Sequence, residues 1–226
     1  PGVRATTVRA DKDQAQVDLV VRVANDAAKS AKASVKVSLV DREGREAASA
    51  VVPATVAAGK TGEFSARLAL TNPHLWHGTA DPYLYDLVTQ VVQADGAVSD
   101  EVRQAYGLRS MAFDPDRGFL LNGQPYRLRG VGYHQDRDGK GWAISREDVA
   151  EDIATLRDMG ANTIRLTHYQ HGQDVHDLAD RAGMLVWDEI PLVSVWTLAG
   201  SKVPDPALVA NAKAQLTELV RQNQNH

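Results

Sequence analysis

Residues 120–136 read LLNGQPYRLRGVGYHQD, residues 160–174 read GANTIRLTHYQHGQD, and residues 183–191 read GMLVWDEIP. Three short apolar runs lie in these segments, at Tyr126–Val131, Thr163–Leu166 and Met184–Trp187. They alternate with two helical stretches. Strand, helix, strand at this rhythm predicts parallel βαβ units. Each run leads into polar residues: His134, Gln135 and Asp136 after the first, Arg165 and His168 at the second, Asp188 and Glu189 at the third. A (β/α) barrel keeps its chemistry at the C-terminal ends of its strands. The most reactive residue types therefore fall where a barrel uses them.

Helix signals support the same frame. Ser145-Arg-Glu-Asp148 is a capping box with Asp in the place of Glu or Gln. Val149, Ile153 and Leu156 follow on one face, and Gly160 is placed to end that helix as the first residue beyond it. Asp174 is expected to cap a second helix, with Val175, Leu178, Ala179 and Ala182 inside and Gly183 at its end. Asp205-Pro206 is an N-cap followed by proline at the first helical position. Leu208, Val209, Ala212, Leu216, Leu219 and Val220 form a third apolar face. Three strands and three helices make an incomplete barrel, since a closed one needs eight of each.

Residues 1–108 carry a different period. Val17, Leu19, Val21 and Val23 alternate with polar or outward positions. Val35, Val37 and Leu39 do so again, as do Phe64, Ala66, Leu68 and Leu70, and then Tyr83, Tyr85, Leu87, Thr89 and Val91. Turn signals fall between them at Asn25-Asp26, Glu43-Gly44, Ala58-Gly59 and Asp95-Gly96. Short period-2 strands at this spacing predict an immunoglobulin-like β-sandwich. Trp76 and the prolines around it could form a carbohydrate platform, but packing in the sandwich core is the favoured reading. Phe119-Leu120-Leu121 before Asn122-Gly123 predicts a hairpin at the joint, expected to close the bottom of the barrel. The expected division is thus 1–108, sandwich, and 109–226, the N-terminal part of a barrel.

Bulk composition fits a soluble globular chain. Of 226 residues, 43% are hydrophobic and 24% charged, and the net charge is −4. No basic patch points to nucleic acid. No apolar run reaches the ~18–20 residues of a membrane helix. There is no cysteine, which excludes disulfides and thiolate metal sites. Pro1 stands in place of an initiator methionine, and both ends are expected to continue into a longer protein. The location stays open between cytoplasm and periplasm.

Among the polar residues, Arg165 is expected to point into the barrel mouth. There it needs a carboxylate partner, because an unpaired buried guanidinium is costly. Asp188 and Glu189 are the candidates. Being adjacent, they face opposite ways on a strand, so one is expected to tie to Arg165 as a structural ion pair. His168, His171 and Asp174 have the residue types of a zinc site, but they follow a strand and do not sit on one helix face. Hydrogen bonding to sugar hydroxyls, or holding a carboxylate, fits them better.

These motifs resemble a known family. Gly130-Val-Gly-Tyr-His134-Gln-Asp, Asn162-Thr-Ile-Arg165-Leu-Thr-His168-Tyr169 and Val186-Trp-Asp188-Glu189 match the family 2 glycoside hydrolases in order and spacing. His134–Trp142, with Thr167-His-Tyr-Gln-His171, looks most like the β-galactosidase branch. Pro73-His-Leu-Trp76 and Pro82-Tyr-Leu-Tyr85 look like the end of that family's immunoglobulin-like domain. The resemblance implies an immunoglobulin-like sandwich followed by the first three βα units of a TIM barrel. It implies a retaining exo-β-galactosidase working through two glutamates, both placed beyond His226, so the chain alone is expected to be inactive. His134 and His168 are implied to bind galactosyl hydroxyls and Arg165 to hold the nucleophile's surroundings, with Asp188, Glu189 and Asp136 in support. Gly132, Tyr133 and Gln170 depart from the family's usual residues. So does Ile190-Pro-Leu-Val-Ser194, which lacks the magnesium ligands of some members, so no metal or other cofactor is expected. The partners expected are a β-galactoside and, as a homo-oligomer, further copies of the protein. The isolated chain, with unpaired edges on its three barrel strands, is expected to associate through residues 109–226 or to be partly disordered there. The competing readings are a non-catalytic carbohydrate-binding or assembly module, and a β-glucuronidase or β-mannosidase of the same family.

Overall fold

The computed structural model describes residues 2–192 and 205–226. It has two compact units. One holds the chain up to His77 with Tyr83–Tyr126 and Asn225, and the other holds Gly78–Pro82, Arg127–Gln224 and His226.

The first unit is built from β1 (Val3–Ala10), β2 (Gln14–Asn25), β3 (Ala31–Val40), β4 (Glu46–Val56), β5 (Lys60–Thr71), β6 (Tyr85–Gln93), β7 (Val98–Tyr106), β8 (Met111–Asp114), β9 (Gly118–Leu121) and β10 (Gln124–Pro125). β1-β2-β5 and β4-β3-β6-β7 are the two antiparallel sheets of a sandwich. Alternation decides which side chains enter it: Val17, Leu19 and Val21 of β2 and Val35, Val37 and Leu39 of β3 are all buried in one core. β4 gives a weak period-2 signal, because three of its inward residues, Ala48, Ala50 and Ala54, are small and only Val52 and Val56 beside them are large. β7 is an edge strand with most side chains exposed. Trp76 is buried, with the Arg109 guanidinium 5.0 Å over its ring. The hairpin expected at Asn122-Gly123 is present between β9 and β10, and β8 joins it as a third strand.

The second unit is β11 (Gly130–Tyr133), α1 (Arg146–Asp158), β12 (Thr163–Leu166), α2 (Gln173–Ala182), β13 (Leu185–Trp187) and α3 (Pro206–Asn223). The strands are parallel in the order β11-β12-β13, and no closed barrel forms among the described residues. Ile164 and Leu166 of β12 are fully buried against Val149 and Ile153 of α1 and Val175 and Ala179 of α2. Thr163 and Arg165 take the opposite face. This is the pleat of a strand covered on one side by its crossover helices.

Three expectations are corrected. The first barrel strand begins at Gly130, not Tyr126. Asn162, 2% exposed, replaces ladder bonding there: its Oδ1 accepts the Arg129 N–H at 2.7 Å and its Nδ2 donates to the Arg127 carbonyl at 2.9 Å. α2 is capped by Gly172, and Asp174 lies within its first turn, ion-paired with Arg146. The apolar face of α3 is not uniformly inside: Leu219 is buried, whereas Leu216 and Val220 are 50% and 55% exposed. The capping box at Ser145 and Asp148 forms in full. Asp148 also receives Lys140 and Arg137, and the Lys140 hydrogen bond, foremost, holds its carboxyl far below the usual range.

Candidate functional site

The site lies at the C-terminal ends of β11, β12 and β13. Parallel register sets Gly132, Arg165 and Trp187 side by side across the sheet. All three are exposed, so this face is the one without helices. Glu189, two residues past Trp187, reaches back to Arg165, whose Nε donates to Oε1 at 2.6 Å. The other oxygen, Oε2, is 3.1 Å from Nδ1 of His168. The Arg165 hydrogen bond, more than any other influence, holds the Glu189 carboxyl below its ordinary value.

Two loop ends hold the imidazoles. The Thr167 N–H and hydroxyl both donate to the Tyr133 carbonyl, at 3.1 and 3.0 Å, tying the exit of β12 to the exit of β11. The peptide joining Thr167 to His168 is cis. His134, directly after β11, meets His168 edge to face with ring centroids 5.7 Å apart. His134, Arg165, His168 and Glu189 therefore form one cluster. Asp136 does not join it: the side chain is exposed and makes no hydrogen bond or ion pair with the described residues.

Asp188 faces the other side. Both of its oxygens are 3.0 Å from Nε2 of His176 on α2, and Nδ2 of Asn223 on α3 donates to Oδ2 at 2.9 Å. Gln173 Nε2 in turn donates to Asn223 Oδ1 at 2.9 Å. Burial pushes the Asp188 carboxyl up, but the His176 hydrogen bond and charge outweigh it, and the net shift is downward. Asp188 is thus tied to the two helices, beneath the sheet face that carries Glu189.

The histidines of 168–176 part company. His168 goes to Glu189. His171 is buried, its Nε2–H donating to the Thr167 carbonyl at 3.1 Å, and burial lowers its basicity. His176 goes to Asp188. No three His, Asp or Glu side chains gather as metal ligands among the described residues. Each Glu189 oxygen already has a partner, one a guanidinium and the other an imidazole, and no group of side chains among the described residues fits a magnesium ion.

Several contributors escape sequence reading. Gln135 accepts the Gly172 N–H at 2.7 Å, and its own N–H donates to the Tyr169 hydroxyl at 3.0 Å. Asn223 sits near the end of α3 without any periodic signal. Their roles rest on long-range contacts that no local pattern announces. Residues 193–204, which include the end of the Ile190–Ser194 stretch, lie outside the described residues.

Known proteins were compared with this architecture. A family model described as "Glycosyl hydrolases family 2" matches residues 2–109, and "Glycosyl hydrolases family 2, TIM barrel domain" matches 115–226. The chain is 42% identical to a β-glucuronidase of Bacteroides fragilis over 160 residues, covering 70% of this chain and 23% of that protein. It is 34% identical to the β-galactosidase BoGH2A of Bacteroides ovatus over 188 residues, covering 83% of this chain and 22% of that protein. A crystal structure of Bacteroides uniformis β-glucuronidase superposes with TM-score 0.90 at 31% identity, over 100% of this chain and 26% of that one. The chain spans about a quarter of the length of these relatives.

Proposed function

The chain belongs to glycoside hydrolase family 2, and from that membership we propose that its second unit forms the sugar-holding side of a retaining exo-β-galactosidase site. The observation that carries this reading is the Glu189 carboxylate clamped between Arg165 and His168, with His134 against His168. Such a cluster presents imidazole edges to a sugar ring while its one guanidinium is already neutralised.

In this reading His134 and His168 hydrogen-bond galactosyl hydroxyls. Arg165, positioned by Glu189, shapes the surroundings of the nucleophile. One glutamate attacks the anomeric carbon and displaces the aglycone, which takes a proton from a second glutamate. That second group then removes a proton from water as the glycosyl ester is hydrolysed, the two carboxyls lying about 5–5.5 Å apart. Both glutamates are supplied from outside these 226 residues, so the chain alone does not turn over. Hydrogen bonds that tighten as the ring flattens raise the rate, whereas those equal in substrate and transition state do not.

A neutral sugar suits the cluster, because a sugar carboxylate would compete with Glu189 for Arg165. A β-glucuronide is the second reading, favoured by the 42% identity to the Bacteroides fragilis β-glucuronidase. We also propose that the 226-residue chain by itself associates, since β11 and β13 each leave an unpaired edge among the described residues.

The test is hydrolysis of p-nitrophenyl β-D-galactoside and β-D-glucuronide by this chain and by the protein extended through a complete barrel. Turnover of the galactoside by the extended form only is the expected result. Preference for the glucuronide would select the second reading, and turnover of neither would end both of these readings. Turnover by the 226-residue chain itself would hand the chemistry to Asp136, Asp188 or Glu189.

A further inference from the structure

Beside the imidazole cluster stands a stack of three rings. His171 is 3% exposed, and its ring stacks on Tyr169 with centroids 4.7 Å apart and planes 14° apart. Tyr169 stacks in turn on Trp142, at 4.9 Å and 21°. Tyr169 also lies 6.4 Å from the His134 ring. The stack therefore runs from the interior, past the histidines, to an indole that is 66% exposed. The indole N–H of Trp142 has no hydrogen-bond partner among the described residues.

The loop that presents this indole is braced. Arg137 N–H donates to the Gly141 carbonyl at 3.0 Å, closing the loop on itself. The Arg137 guanidinium reaches Asp148, Glu151 and Asp152 of α1, and Lys140 reaches Asp148. Tyr169 is fixed separately through its hydroxyl, which accepts the Gln135 N–H. A large aromatic surface left in water is unfavourable by itself. Here the braced loop and the stack on Tyr169 hold it outward instead of folding it away. A rigid, amphipathic ring presented at low entropic cost is the form that recognition surfaces favour.

We propose that Trp142 is the platform for the sugar that follows the scissile bond, so that the site takes β-linked disaccharides or longer oligosaccharides in preference to small-aglycone glycosides. The proposal rests on the glycosidase reading above. His134 and His168 hold the terminal ring, and the next ring lays its C–H face on the Trp142 indole. The indole N–H donates to one of that ring's hydroxyls. Trp142 is in this sense a specificity-determining residue and touches no reacting atom.

The experiment has two readouts. The first is quenching of tryptophan fluorescence in the 226-residue chain and in Trp142→Phe and Trp142→Ala, titrated with lactose and with galactose. The second is the KM for lactose against that for β-galactosyl fluoride, whose leaving group has no ring, in the full-barrel protein and the same variants. Lactose is expected to perturb Trp142 fluorescence more strongly than galactose. Trp142→Ala is expected to raise the lactose KM about tenfold more than the fluoride KM, with Trp142→Phe recovering most of the difference. Equal effects on both substrates, or a lactose signal that survives in Trp142→Ala, would overturn the proposal. If no substrate is hydrolysed while lactose still reports through Trp142, the platform stands and the hydrolytic reading falls.

Discussion

Asp188 and Glu189 are consecutive residues that serve opposite faces of one sheet. Glu189 lies on the open face with Arg165 and His168, and Asp188 lies on the helix side with His176 and Asn223. The Asp188 tie to the helices anchors the backbone from which Glu189 reaches to Arg165 and His168. The two neighbouring carboxylates therefore make separate sets of contacts and can be altered separately.

Glu189→Gln is expected to lower the kcat/KM of the full-barrel protein more than tenfold while changing stability little. The Arg165 side chain is 51% exposed, so the ion pair contributes only about 1 kcal/mol or less to folding. Steady-state kinetics and urea midpoints on the same variant check both halves. Activity retained within twofold would remove Glu189 from the site.

His176→Ala is expected to show the reverse pattern. His176 is 1% exposed, and its loss leaves the Asp188 carboxylate without its main partner. Leaving a largely buried carboxylate short of a hydrogen-bond partner costs about 1–3 kcal/mol. Chemical denaturation should register that loss, with Asn223→Ala costing less because His176 would remain.

Stability should also depend on pH through His171. Burial lowers its pKa from 6.5, so the folded chain binds a proton there less readily than the unfolded one. Stability from this source is complete above 6.5 and is lost as pH falls towards the depressed folded value. Unfolding free energies measured from about pH 5 to pH 8 should show this slope, and His171→Phe should flatten it.

Two helix-ending glycines should respond differently to alanine. Gly160 has φ +83° with nothing near a built Cβ, whereas at Gly183, φ +75°, a Cβ would come within 2.2 Å of the Gly78 carbonyl oxygen. Gly160→Ala should cost about 1 kcal/mol, the conformational penalty alone. Gly183→Ala must also move backbone, so its thermal midpoint should fall clearly further.

The unpaired edges of β11 and β13 should make the 226-residue chain associate. Light scattering over a concentration series is expected to show species larger than a monomer, and charged substitutions at exposed edge positions should reduce them. A monomer at every concentration would end the proposal that this chain associates through those edges.

Much of this was legible locally. Alternation at Val17, Leu19 and Val21, the capping box at Ser145, and Asp205-Pro206 are short-range signals, because strand pleat, helix pitch and cap geometry repeat within a few residues. The start of β11 was not legible, because Asn162, far along the chain, takes the bonds that a longer strand would have made. The α2 cap was misplaced for a similar reason: Asp174 is drawn to Arg146, and Gly172 is left to begin the helix. The face of α3 read as apolar, but amphipathic spacing says which residues share a side and not what covers them.

The sequence by itself determined the order of sandwich then βα units, the family, and the placement of His134, Arg165 and His168 at strand ends. These follow from periodicity and motif, which are properties of neighbours in the chain. Only the tertiary structure decided that Glu189, not Asp188, receives Arg165. It alone brought His176 and Asn223 to Asp188, and it alone left Trp142 stacked on Tyr169 with its outer surface in solvent. Those outcomes depend on strand register and on contacts across many residues, and the free energy of such contacts exists only once the chain has closed on itself.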